Sequence, residues 1–365
     1  MRLPLVQDVK DATVTRFRIA AALGAIAALL LVGCSADTTP SGTAAPTGSV
    51  APSEDATAPS ADGVFPITIE HVYGETVVPE QPQRVATVAW ANHEVPLALG
   101  IVPVGMSKVT WGDDDHDGVL PWVEDVLTEL GAETPVLFDE TDGIPFEQIA
   151  DTQPDVILAS YSGLTQEEYD TLSKIAPTVA YPEVAWGTSM QDMIRINSKA
   201  LGLAAEGDQL IADLNVQIDS ALAEFPALED ARVLFSYIDP SDFSQIGFYT
   251  AHDTRPGFLA SIGLPLPQVV EEETAKTDSF YVQVSAEQAD RFQDVDLFVT
   301  YGDPGSDIVA QLQADPLLSK IPAIAEGRGH FMLGHFDKAK ELLTPLTEDL
   351  KTRQQLRASG LSAAW

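Results

Sequence analysis

The chain has 365 residues, 45% of them apolar, and sets 55 Asp and Glu against 20 Lys and Arg for a formal charge of −35. That balance suits one or two folded domains and repels phosphate backbones, which argues against a nucleic-acid partner. A single cysteine excludes an internal disulfide framework and any multi-thiolate zinc or iron–sulfur site.

Arg2, Lys10, Arg16 and Arg18 precede an unbroken apolar run from Ile19 to Val32. Its length suits a signal-peptide core and is short for a membrane span. The run ends in Leu31-Val32-Gly33-Cys34, and small residues before a lone Cys resemble the lipobox of bacterial lipoproteins. The resemblance implies that residues 1–33 are removed and that Cys34 is diacylated, two chains anchoring a protein where one holds it only marginally. Residues 34–63 continue in Ser, Thr, Ala, Pro, Gly and Asp, so the lipidated Cys is expected to begin a disordered tether with a reach on the order of 30 Å. Without the first 33 residues, 16 basic side chains remain against 53 acidic ones.

From Phe65 onward β-branched runs alternate with helical patterns, the mark of α/β architecture. Strands are expected at 84–90, 101–104 and 155–159, and helices at 94–99, 121–130 and 165–175. Pro121 near the start of its helix and Gly131 after its end fit the usual asymmetry. Two amphipathic helical runs, 189–201 and 206–225, follow with no strand between them. Strand patterns resume at Arg232, Asp296 and His330, with helices near 256–262 and 336–356. The expected organisation is an N-terminal α/β lobe at 64–188, connecting and bridging helices at 189–227 and a C-terminal α/β lobe at 228–365. The lobes also echo each other. Glu147-Gln148-Ile149-Ala150-Asp151 leads into Asp155-Val156-Ile157-Leu158, and Glu287-Gln288-Ala289-Asp290 leads into Asp296-Leu297-Phe298-Val299.

Signatures of common hydrolases, zincins, dinucleotide binders and P-loop proteins are absent, so no enzyme activity is expected. The six histidines are scattered and suit ordinary surface or core roles. Asp113, Asp115, Asp117, Gly118 and Glu124 fit the calcium-loop expression of EF-hands. The context does not fit, because strand rather than helix precedes the loop and Pro121 interrupts its end; calcium stays the weaker alternative to a solvated acidic loop. Aromatic residues gather where strand ends and their loops are expected: Trp90, Trp111, Tyr161 and Trp186 in one lobe, Tyr249 and Tyr301 in the other. In open α/β sheets ligands bind beyond the carboxyl ends of strands, so these residues are candidates to wall a cleft between the lobes.

The order of Phe65-Pro-Ile-Thr-Ile-Glu-His71, Gln81-Pro-Gln-Arg84-Val-Ala-Thr87, Leu97-Ala-Leu-Gly100, Phe146-Glu147-Gln-Ile149 and Pro154-Asp-Val-Ile157 resembles the iron-siderophore binding lipoproteins of ABC importers. That family also includes cobalamin and haem binders. In the second half Asp253-Thr-Arg255-Pro-Gly-Phe258, Val284-Ser285-Ala-Glu287 and Leu343-Thr-Pro-Leu346 extend the likeness over roughly residues 64–357. It implies two α/β lobes joined by a long helix, expected at 206–225, with the ligand cleft between them. It also implies docking of Glu147 and Glu287 to arginines of a permease that works with its ATPase. The expected ligand is a ferric siderophore, its iron already caged, with no further cofactor and no direct protein ligand to the metal. Such a complex calls for aromatic walls and a cation, and Arg255 is the best-placed guanidinium, ahead of Arg195, Arg232 and Arg328. Pairing with Asp253 is the alternative role for Arg255. The acidity of the chain favours a neutral trihydroxamate or a cationic chelate over a triscatecholate. A monomer held at the outer face of the cytoplasmic membrane by its lipid alone is expected, with cobalamin or haem capture as the nearest alternative and a surface hydrolase as the distant one.

Overall fold

The computed structural model describes residues 63–110, 113, 115–301, 307–327 and 329–332. The leader, Cys34, nearly all of the tether, Trp111, the side chain of Tyr301, Arg328 and the expected helix at 336–356 lie outside the described residues.

The first lobe opens with a hairpin of β1 (Ile67–His71) and β2 (Gly74–Val78), whose inward residues Ile67, Ile69 and Val78 are buried in strict alternation. Then come β3 (Val85–Thr87), α1 (Glu94–Ala98), β4 (Gly105–Ser107), α2 (Pro121–Leu130), β5 (Val136–Phe138), α3 (Phe146–Asp151), β6 (Val156–Leu158), α4 (Gln166–Leu172) and β7 (Thr178–Val179). Strands β3 to β7 form one parallel sheet in the order β5-β4-β3-β6-β7. Its central strands are buried at every position, as a sheet covered on both faces requires. Helix ends follow local chemistry. Left-handed Gly131 stops α2, and a reciprocal Thr165–Glu168 capping box starts α4.

The second expected strand lies later than 101–104. The Ile101 amide turns back to the Pro96 carbonyl at 2.8 Å and Pro103 has no N–H to give, so pairing starts only as the Val104 amide reaches the Val85 carbonyl. Gly105 then lets the Phe138 ring lie against the strand, where a Cβ would meet the ring at 2.2 Å.

Helix α5 (Met190–Ala200), capped by Ser189, packs on the first lobe and on the helix that follows it. Its Met193 and Ile194 meet Val95, and Ala200 and Leu201 join the cluster under β1, β3 and β6. The run expected as the bridge, 206–225, lies along α6 (Ala204–Glu224). This helix of 21 residues, about 31 Å long, plants Ile211 among Val95, Met193 and Ile194. At its other end Leu222 and Phe225 pack with Val233, Leu264 and Leu297 of the second lobe.

The second lobe contains β8 (Val233–Tyr237), β9 (Gln245–Tyr249), α7 (Thr254–Ser261), α8 (Gln268–Thr274), β10 (Tyr281–Ser285), β11 (Leu297–Tyr301), α9 (Ile308–Ala314), α10 (Pro322–Ala325) and β12 (Gly329–Met332). The sheet order is β10-β9-β8-β11-β12, with β8, β11 and β12 parallel and β9 antiparallel to both neighbours. A 3-10 segment, Ala286–Phe292, leads toward β11 as α3 leads toward β6.

Candidate functional site

In the first lobe the carboxyl end of β3 runs into a tight turn that carries Trp90, 38% exposed, between Ala89 and Ala91 at φ of 60° and 63°. Non-glycine residues in that region are strained by roughly 1–3 kcal/mol each and persist only where surrounding contacts hold them. Two polar groups do so here. The Ala89 amide donates to both oxygens of Glu140 at 3.1 and 3.0 Å. The fully buried Asn92 side chain donates to the carbonyls of Val88 (2.9 Å), Trp90 (3.3 Å) and Tyr161 (2.8 Å). Its Oδ1 accepts from the Tyr161 amide, the Ser160 hydroxyl and the Asn197 amide group at 3.1 to 3.3 Å.

Asn92 thus ties the loop after β3 to the loop after β6, which carries Tyr161. The Tyr161 ring meets Trp186 edge to face at 5.4 Å, and the Trp186 backbone is itself left-handed at φ 60°. The Trp186 amide donates to the Ser162 carbonyl, and the Thr188 hydroxyl to that of Ser160. Gly163 is needed for this packing, since a Cβ there would lie 2.2 Å from the indole nitrogen.

Across the lobes, the Tyr161 hydroxyl lies 3.2 Å from that of Thr254, the first residue of α7. Burial pushes the Tyr161 phenol pKa up, with the Thr254 contact opposing the push. Asp253, almost fully buried, caps α7 through the Arg255 amide and grips the Arg255 guanidinium with both oxygens at 2.7 and 2.6 Å. The guanidinium carbon sits 3.8 Å above the Tyr249 ring, which Tyr281 supports at 5.3 Å. Arg255 therefore has the pairing expected as its alternative role and a cation–π contact as well. Tyr161, Trp186, Tyr249 and Arg255 are brought together by this chain of contacts, with Trp90 tied to it through Asn92.

A cavity of about 450 Å³ lies between the lobes, bordered by Glu183, Gly187, Thr188 and Asp192 of the first and by Ala251 and His252 of the second. It adjoins the Trp186 segment, but of the candidate rings that are described, those of Trp90, Tyr161, Trp186 and Tyr249, none lines it. Strand β9 runs against β11, so the carboxyl ends of these strands face opposite edges of the sheet. The strand-end rule therefore cannot serve Tyr249 and Tyr301 alike.

Glu147 and Glu287 occupy matching places: each is exposed in the first turn of the helical segment that precedes β6 or β11, above buried Ile149 or Ala286 and Ala289. Asp113, Asp115 and Asp117 bring carboxylate oxygens within 4.8 Å of one another, and Glu124 stands apart from that group, on α2. Asp113 accepts the amides of Asp115, His116 and Gly118, so the loop satisfies itself, and β4 rather than a helix precedes it. Arg195 and Arg232 pair with Asp192 and Asp294 at 3.2 and 3.5 Å, away from the aromatic group.

Sequence reasoning missed Asn92, Glu140 and Thr254. Asn92 and Thr254 had only position as a signal, just after a predicted strand or before a predicted helix, and Glu140, after a strand that the sequence reading did not include, had none. Asn92 and Glu140 bind backbone from loops distant in sequence, which a linear pattern does not reveal.

The sequence profile of the family described as periplasmic binding protein matches residues 85–329, from β3 into β12. PiaA of Streptococcus pneumoniae TIGR4, solved in complex with ferrichrome, is 42% identical and superposes with a TM-score of 0.72 over 78% of this chain and 99% of its own. The iron(3+)-hydroxamate-binding protein YxeB of Bacillus subtilis is 23% identical over 259 residues, 70% of this chain and 74% of that protein. SirA of Staphylococcus aureus, solved with staphyloferrin B, shares the fold at 20% identity and a TM-score of 0.58, covering 78% of this chain and 98% of SirA.

Proposed function

This chain belongs to the periplasmic binding protein family, and we propose that it is the receptor of an ABC importer that captures a ferric siderophore of the neutral hydroxamate class. The observation that carries this reading is the contact chain across the lobes: Trp186 on Tyr161, Tyr161 on Thr254, and Arg255 on Tyr249. Rings supply large, rigid contact area at small entropic cost, and a persistent guanidinium adds hydrogen bonds to ligand oxygens. The Asp253 partner cancels the Arg255 charge, so this pair offers a ligand a polar but electrically balanced edge. A ferric trihydroxamate, in which three monoanionic groups balance the metal, matches that surface and the ferrichrome held by the similar PiaA.

The protein acts by binding and release, not by catalysis, and the iron stays wrapped by its chelator. Ligand binding favours the lobe arrangement in which both halves of the wall touch it. Cys34 anchors the receptor to the outer face of the membrane, and among the described residues no helix is long and apolar enough to cross one. Glu147 and Glu287, exposed at matching places on the two lobes, dock to the permease as a pair.

Titration of intrinsic Trp fluorescence with ferrichrome tests the capture. Saturable quenching is expected, and a protein that gives none, while also failing to retain ferrichrome on gel filtration, is not a hydroxamate receptor. Uptake by cells carrying the Glu147→Ala, Glu287→Ala protein tests docking: uptake is expected to collapse with ferrichrome affinity unchanged, and full uptake rules the pair out.

A further inference from the structure

The group that decides which ferric chelate is admitted is not one of the aromatic walls. Glu140 follows β5, beside the Trp90 turn, with both carboxylate oxygens on the Ala89 amide and a contact from the Ser107 hydroxyl. It is half-buried, and among the described residues no cationic side chain pairs with it. The neighbouring Lys108 is turned to Asp139 at 3.6 Å, and Arg255 in the other lobe is held by Asp253 at 2.6 Å. Each of these cations has an acid of its own, so neither neutralises Glu140. A partly buried charge is screened by salt much less than an exposed one and acts over a longer range in a medium of lower dielectric constant.

On the siderophore reading above, we propose that Glu140 is the specificity-determining residue of the cleft: its negative charge admits neutral ferric trihydroxamates and turns away polyanionic chelates such as ferric triscatecholates. The iron of a triscatecholate is surrounded by three dianions, so the complex is trianionic, and every contact with the Trp90 wall brings that charge toward Glu140. A trihydroxamate brings no net charge and meets only the aromatic surface and the Arg255 edge. The same carboxylate fixes the Ala89 amide, so recognition of charge and placement of Trp90 reside in one side chain.

Glu140→Gln removes the charge and keeps an oxygen for Ala89, whereas Glu140→Asp keeps the charge and shortens the reach. Fluorescence titrations of the full protein with ferrichrome and with ferri-bacillibactin, a triscatecholate complex, read the outcome. The unaltered protein should bind ferrichrome and reject ferri-bacillibactin. Glu140→Gln should raise the ratio of ferri-bacillibactin to ferrichrome affinity by about tenfold or more, whatever loosening of the Trp90 turn does to both, while Glu140→Asp keeps the ratio of the unaltered protein. Ferrichrome binding with no gain of the anion in Glu140→Gln, or equal binding of both chelates by the unaltered protein, overturns the role of Glu140 alone. Binding of neither chelate by the unaltered protein overturns the siderophore reading itself.

Discussion

The two lobes share half of a sheet and differ in the other half. In both, a helical segment bearing an exposed Glu leads to a buried strand, β6 or β11, that pairs in parallel with the first strand of its five-stranded sheet, β3 or β8. In the first lobe the remaining strands, β4 and β5, are also parallel, so the loops that follow β3, β5 and β6 supply Trp90, Glu140 and Tyr161. In the second lobe β9 turns back against β8, and what meets Tyr161 comes from the turn after β9: Thr254, with Arg255 and Tyr249 beside it. A common half-sheet thus sets the frame and the paired places of Glu147 and Glu287, while the divergent halves make the two sides unlike. One wall is built of strained backbone held by buried polar groups, the other of an ion pair on stacked rings.

Asn92→Ala is the largest expected break in that contrast. It leaves the Tyr161 amide and three carbonyls without their partner and frees the strained Trp90 turn, so a loss of roughly 3–4 kcal/mol is expected by denaturant unfolding. Ferrichrome affinity should fall by about a hundredfold, since two ring-bearing loops lose their mutual register. The matching disruption in the second lobe, Tyr281→Leu, removes the edge support of Tyr249 and the hydroxyl's contacts with the Tyr237 carbonyl and Gln283, and should weaken binding by about threefold to tenfold. Equal effects of the two would mean that the first wall is no more dependent on internal hydrogen bonds than the second.

The same wall is expected to make the first lobe the acid-sensitive one. His93, next to Asn92, is buried, its Nδ1 has no partner among the described residues, and burial lowers its pKa to about 4. Below pH 6.5 the unfolded chain takes up a proton that native His93 refuses, so stability falls as pH drops from 6.5 toward 4, by about 3 kcal/mol in all. Burial raises the pKa of the adjacent Glu94, whose contribution is present at low pH and is lost as pH rises through its native value. His93→Gln should therefore remove the acid-side loss and leave the Glu94 trend, as melting temperatures at pH 4.5 and 7 will show. An unchanged acid-side loss would place the sensitivity elsewhere.

Local grammar made much of the frame legible. Pro121 and Gly131 bracket α2, Ser189 starts α5, and the run from 206 to 225 lies along the bridging helix, because caps and periodicity act within a few residues. The edge of β4 was not legible, since it depends on a ring from β5 seated on Gly105. The direction of β9 was not legible either, because a short apolar strand reads the same both ways. In the site, aromatic residues after strands were visible as candidates, and Trp186, Tyr161 and Tyr249 do meet partners of their group. The groups that hold them, Asn92 and Glu140, became apparent only with the contacts between loops.

The shared half-sheet yields the finest test, in a pair of bonds repeated in both lobes. The Asp155 amide donates to the Arg84 carbonyl at 2.9 Å and its carboxylate accepts from the Arg84 amide at 2.9 Å. The Asp296 amide and carboxylate make the same two bonds with Arg232 at 2.9 and 3.1 Å. Each Asp thus locks the entry of the buried strand to that of the first strand, the point at which register is set. Asp155 takes a further amide, that of Gln83 at 2.8 Å, but is partly exposed, so water can replace what a substitution removes. Asp296 is 3% exposed, and the Arg232 amide would be left without water. Asp296→Ala is therefore expected to cost about 2–3 kcal/mol and Asp155→Ala about 1–2 kcal/mol in denaturant unfolding. If the order is reversed, the burial of these bonds does not govern the frame, and the likeness of the lobes rests on hydrogen bonding more than on the packing of their buried strands.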